Sequence, residues 1–369
     1  MQKILKLFKK QPVLCIAALA ALASAVMVPP DRAYMDYFDL KTLTCLFLTL
    51  AVICALRNIK FFSLLSEKVV LLTGNLRMLV LMLVYITFIG SMIIANDMAL
   101  ITFLPLALFA LQTTDNESSM AYVFILQNIS ANLGGMLTPF GNPQNLYLYS
   151  HFNIPTGEFT AIMLPPFLLA VAMLTAACFV IPPKPLALRK RLEEKLNRKK
   201  AALYLALFAV SILIVFRVVP YWIGLILIPA VLLPVDRLAL KSVDYGLLLT
   251  FVMFFIFAGN MSRVEAVNRV LSGLLRQEPL LVSVASCQII SNVPTAILLS
   301  RFTENYRALL LGVNIGGTGT LISSLASLIT FSEFRILYPE HSGRYIRLFA
   351  LMNLIFLVVM TAFARLVLV

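Results

Sequence analysis

Residues 94–101 read Ile94-Ala95-Asn96-Asp97-Met98-Ala99-Leu100-Ile101, at the centre of LVYITFIGSMIIANDMALITFLPLALFAL (83–111). In hydrocarbon, backbone groups freed by a break cost several kcal/mol each unless protein or a wet cavity satisfies them. An aspartate at mid-span costs a further ~2.5–3.5 kcal/mol on insertion scales. The pair therefore predicts a broken segment over 76–111, a re-entrant hairpin with Asn96-Asp97 at its tip.

A second apolar segment, 279–301, is broken at Ser291-Asn292-Val293-Pro294. Each hairpin is followed by a glycine pair and a polar patch, NLGGMLTPFGNPQNLYLYSHF (132–152) and NIGGTGTLISSLASLITFSEF (314–334). The patches align without a gap: Gly134-Gly135 falls on Gly316-Gly317, Leu146 on Leu328, Ser150 on Ser332 and Phe152 on Phe334. A repeated asparagine tip followed by a repeated broken helix reads as an internal duplication.

Working outward, the 369 residues are 61% hydrophobic and 13% charged, the composition of an integral membrane protein. Further spans are expected near 12–29, 40–57, 118–136, 160–182, 200–217, 219–235, 245–260, 304–317 and 344–368. Lys3, Lys6, Lys9 and Lys10 precede an apolar run that reads as an uncleaved first span with a cytoplasmic N-terminus. The net charge of +13 does not point to nucleic acid: basic residues concentrate at span ends and in Lys184 to Lys200, a cytoplasmic linker by the positive-inside rule. The five cysteines lie in apolar segments without metal-like spacing, and His151 and His341 are isolated, so no disulfide framework, metal site or cofactor is expected.

These features predict an all-α polytopic membrane protein of two repeats. The first covers 1–182, with its hairpin at 76–111 and its broken helix at 118–151. A basic linker spans 183–199. The second repeat covers 200–369, with hairpin 279–301 and broken helix 304–335. Counting crossings puts the second hairpin on the opposite side from the first, so the repeats are read as inverted.

Every break is followed by a helix start: Asp97 as a cap before Met98, Pro294 in a first turn, Asn142 before Pro143, and Ser323-Ser324 before 325–334. Four half-helix N-termini meeting at mid-membrane would offer unpaired N–H groups to an anion, and the unwound carbonyls would suit a coupling cation. Asp97, the one acid near the centre of an apolar span, is read as a proton-titrating or cation-binding group.

At ANDMALITFLPLAL, TPFGNPQN, SNVPTAILL and GGTGTLISSLASLI the chain resembles the ion transporter superfamily, which includes arsenite permeases, sodium/proton antiporters, citrate–metal transporters and divalent anion:sodium symporters. The resemblance covers nearly the whole chain. It implies an elevator-type transporter, often dimeric, in the cytoplasmic (inner) membrane. Carried over by position, it implies substrate contacts from Asn96, Ser291 and Asn292 at the tips. It adds Thr138, Gly141, Asn142, Gln144, Asn145, Thr318, Thr320, Ser323 and Ser324 in the loops. Asp97, Asn96 and Asn292 would serve a coupling proton or sodium. Dicarboxylate symporters of the superfamily carry Ser-Asn-Thr at both tips. Here the tips read Ala-Asn-Asp and Ser-Asn-Val, which moves the likeness toward the citrate–metal, arsenite and antiporter branches.

No Lys or Arg falls in the four motifs, so a multivalent anion would rely on helix dipoles and a co-bound cation, whereas a neutral oxyacid would need neither. A sodium/proton antiporter is the alternative transport reading. An intramembrane enzyme finds no support: His-Glu-x-x-His and Gly-x-Ser-x-Gly are absent, and one mid-membrane carboxylate forms no dyad.

Overall fold

Each apolar run expected to span forms a helix in the computed structural model, which describes residues 12–62, 64, 73–186 and 196–368. The four N-terminal lysines and linker residues 187–195 lie outside the described residues. In chain order the helices are α1 (Pro12–Met27), α2 (Leu40–Asn58), α3 (Leu76–Ile94), α4 (Asn96–Gln112), α5 (Met120–Gly134), α6 (Pro143–His151) and α7 (Thr156–Phe179). They continue as α8 (Arg198–Val215), α9 (Tyr221–Val235), α10 (Arg237–Lys241), α11 (Tyr245–Arg263), α12 (Glu265–Gln277), α13 (Pro279–Ile290) and α14 (Asn292–Leu299). The last three are α15 (Tyr306–Gly316), α16 (Leu325–Leu337) and α17 (Ser342–Phe363). Among the described residues five helical segments are long and apolar enough to cross a membrane. The chain is a multi-pass membrane protein.

Helix α12 has no counterpart among the expected spans, and here the sequence reading is corrected. Its residues are too polar for a hydropathy search, but they are strongly amphipathic: Leu275 is buried, while Val270, Leu274, Arg269 and Arg276 are exposed. Such a helix suits a membrane surface.

Packing sorts the helices into two groups. Helices α1, α2 and α8–α11 pack mainly on one another; the two hairpins, the two broken helices, α7 and α17 form the second group. The groups meet where α11 touches α14 and α2 touches α6. Polar contacts fix the ends of the first group. Asn58 at the end of α2 donates to Asp236 at the end of α9, and Cys54 Sγ meets the Ser242 carbonyl just before α11. At the far end of α11, Arg263 holds Asp31 in a two-pronged ion pair with its shorter contact at 2.6 Å. That guanidinium keeps the Asp31 carboxyl below its ordinary value.

The two hairpins contact different ends of α2 in this frame. Met82, Tyr85, Ile86, Ile89 and Ile93 of α3 share an apolar crevice with Leu56, Phe61 and Phe62, where α2 ends. Arg301, at the base of the second hairpin, donates instead to the Tyr37 carbonyl, where α2 is about to begin.

Within each repeat the broken helix presses on the first arm of its hairpin through the first glycine of the pair. A Cβ on Gly134 would lie 2.3 Å from the Phe88 carbonyl oxygen, and one on Gly316 would lie 2.8 Å from Cys287 Cβ. Gly134→Ala is expected to cost about 1–3 kcal/mol through overpacking. Gly157→Ala, at a position with open space around it, serves as the control. Thermal unfolding in detergent checks this: the first substitution lowers the midpoint and the second leaves it near wild type.

Candidate functional site

The two tips share one backbone geometry. Ala95 (φ 68°, ψ 153°) and Ser291 (φ 73°, ψ 159°) each end one helix and start the next in a region that favours glycine. The following asparagine is buried, 3% exposed in each case, and turns its Oδ1 back to accept the next amide: Asp97 N at 3.0 Å and Val293 N at 2.9 Å.

Asp97 is therefore not the cap expected from the sequence. Helix α4 starts at Asn96, two residues earlier than expected, so Asp97 sits inside the first turn and its amide is satisfied by Asn96. The Asp97 Oδ1 is buried with no hydrogen-bond partner among the described residues.

The loops are tied to the hairpins by a second matched pair of bonds. Thr138 Oγ1 donates to the Met92 carbonyl at 2.6 Å, and Thr320 Oγ1 donates to the Gln288 carbonyl at 3.1 Å. The freed loop carbonyls are met differently in each repeat. Asn145 Nδ2 serves those of Gly135, Met136 and Thr138, whereas Gln288 Nε2, from the hairpin, serves those of Gly316 and Thr318.

A cavity of about 360 Å³ lies at the junction. The first turns of all four half-helices reach it, through Asn96-Asp97, Pro143-Gln144, Asn292-Val293 and Leu325. Its remaining walls are mostly apolar, with Val13 and Ile16 of α1, Leu247 and Phe254 of α11 and Ile289 of α13 beside the hydroxyl of Thr250, and no Lys or Arg lines it among the described residues. Of the residues expected at the site, Asn96, Asp97, Gln144, Ser291, Asn292 and Ser324 line this cavity. Asn142 and Asn145 lie behind it in a buried amide network. Thr318 and Ser323 are buried and donate to backbone carbonyls of their own loop. Thr138 and Thr320 bind the hairpin backbone, and Gly141 closes the first loop by donating its amide to the Thr138 carbonyl. The Oε1 of Gln144 and the Oδ1 of Asn142 are buried without a partner among the described residues. Asn132 and Asn314, the first residues of the two aligned patches, were missed by sequence reasoning; the alignment itself was the available signal.

With this geometry in view, a family model described as "Citrate transporter" matches residues 4–305. The chain belongs to that family. An uncharacterized transporter of Methanocaldococcus jannaschii is 31% identical over 337 residues, 88% of this chain and 89% of the relative. The inner membrane protein YbiR of Escherichia coli is 29% identical over 276 residues, 73% of each chain. A further uncharacterized transporter, of Haemophilus influenzae, is 30% identical over 159 residues, 42% of this chain and 34% of the relative. The family and these relatives make the chain a secondary transporter.

The strain at the first tip is testable. Ala95→Gly removes a Cβ from a backbone that disfavours it and is expected to raise stability by about 1 kcal/mol, whereas Ala95→Val lowers it by a similar amount. Thermal midpoints of the two variants in the same detergent should straddle that of the wild type.

Proposed function

We propose that the chain is an ion-coupled transporter of a small carboxylate or oxyanion, citrate-like or arsenite-like, with a proton or sodium as the coupling ion. One observation carries this reading: four half-helix N-termini converge on a single cavity that, among the described residues, also holds a buried, unpartnered carboxylate oxygen and no basic side chain. Helix N-termini attract negative charge, and Asp97 supplies the group that a coupling ion titrates or neutralises. A multivalent anion facing Asp97 without a countercharge is repelled, so a citrate-like substrate enters with a cation or with the coupling ion already bound. Asn96, Asn292, Gln144, Ser291 and Ser324 are the candidate hydrogen-bonding groups, and the residues behind the cavity hold the loops.

The contacts of the two hairpins with different ends of α2, the matched tips and the matched loop bonds support the reading of two inverted repeats. The sorting of the helices into two packing groups supports an elevator, in which the hairpins and broken helices move as one body against a frame. The same reading puts the N-terminus and the basic linker in the cytoplasm, the protein in the inner membrane, and allows a homodimer through the frame.

The bare carboxylate in a cavity without basic residues also favours a second reading, a sodium/proton antiporter that needs no anion. Proteoliposomes with an internal pH dye separate the two. On the leading reading citrate or arsenite drives a proton or sodium-dependent flux, and Asp97→Asn lowers it at least tenfold, on the order expected when a coupling charge is lost. Proton movement on sodium addition alone replaces this reading with the antiporter. An Asp97→Asn variant that behaves as wild type removes Asp97 from the coupling step.

A further inference from the structure

Asn132 and Asn314 occupy the same position in the two repeats, and each reaches across to the other. On α5, Asn132 accepts through its Oδ1 from Ser324 Oγ at 2.8 Å, in the loop of the second repeat, and from Asn96 Nδ2 at 3.2 Å, at the tip of its own. On α15, Asn314 accepts from Asn142 Nδ2 at 3.4 Å and donates to Asn145 Oδ1 at 2.6 Å, both in the broken helix of the first repeat. The aligned patches place Asn132 on Asn314 and Asn142 on Ser324. So one pair of equivalent positions holds the other pair, crosswise.

All six of these side chains are buried, none more than 3% exposed. Water does not replace a partner taken from such a network, and the loss is felt by whatever the partner was holding. The network is also uneven. Asn132 Oδ1 is shared by the first tip and the second loop, whereas the second tip holds its own loop directly, through Asn292 N donating to the Ser323 carbonyl at 2.9 Å.

We propose that Asn132 and Asn314 are positioning residues that hold each repeat's loop from the other repeat, so that the two halves of the site order and loosen as one unit. A ligand that orders one tip then lowers the entropic cost of ordering the opposite loop, which couples the half-sites without any large movement. That these loops serve a transported substrate rests on the transporter reading; the crossed hold does not.

The test needs no substrate. Backbone amide exchange is followed by mass spectrometry on the full chain in lipid nanodiscs, comparing wild type with Asn132→Ala and Asn314→Ala. Asn132→Ala is expected to raise exchange on the order of tenfold at the second loop, 318–327, and at the first tip, 95–99, as one buried bond to each is lost. It leaves the first loop, 138–146, within about twofold of wild type. Asn314→Ala gives the converse, a rise at 138–146 with 318–327 unchanged. A general loss of stability raises exchange throughout, and a hold confined to one repeat raises it only in the loop of the substituted repeat. Either pattern, or no change, overturns the proposal. If the alanine variants are not recovered folded, Asn132→Ser and Asn314→Ser are measured in the same way and must show the same crossed pattern at smaller amplitude.

Discussion

Backbone groups released at a helix break in hydrocarbon have no water to turn to, and the remainder of this structure follows from how they are satisfied. Four breaks release amides and carbonyls at one level. Asn96 and Asn292 bind the amides that follow them, Thr138 and Thr320 bind the hairpin carbonyls, and Asn145 and Gln288 take up the loop carbonyls. The first-turn amides of Asp97, Asn292, Val293 and Ala326 are taken by protein oxygens, and Pro143 and Pro294 carry none, so what the four helix starts offer a ligand is chiefly the positive ends of their dipoles.

Small and polar residues recur at equivalent places because each solves the same local problem. Gly134 and Gly316 let the broken helix approach its hairpin, and the backbone at Ala95 and Ser291 turns in the same strained way. The repeats diverge where their chemistry diverges. One tip continues with Asp97 and the other with Val293, so a single carboxylate enters a cavity otherwise built from amides, hydroxyls and apolar walls. On the transporter reading, that difference assigns ion coupling to the first repeat.

Much of this was legible in the sequence, for a physical reason: in a chain so apolar, a polar residue at mid-span carries a penalty that demands explanation. Asn96-Asp97, Ser291-Asn292, the glycine pairs and the Asn-Pro and Ser-Ser helix starts all stood out on that ground, and the hairpins and broken helices form where they indicated. Other features left no such mark. Helix α12 is amphipathic and falls below any hydropathy threshold. That Asp97 would not act as the cap depended on a helix that starts at Asn96, two residues earlier than expected. Thr318 and Ser323 look like ligand groups in a string of letters, yet their hydroxyls are taken by nearby carbonyls. The crossed bonds of Asn132 and Asn314 depend on how the two repeats dock, which neither repeat encodes alone.

The central claim is that one cavity is shared by both halves of the chain, with Asp97 and Gln144 from the first and Asn292 and Ser324 from the second facing walls that run along α1 from Val13 to Ala20 and along α11 from Leu247 to Phe257. Single cysteines at Gln144 and Ser324, one from each repeat, test it by labelling with a membrane-impermeant thiol reagent applied to either face; the five native cysteines are buried and add little background. The account predicts that both positions label from the same face and, on the proposed transporter reading, that citrate protects both together. Labelling of the two positions from opposite faces, or protection of one without the other, would contradict it.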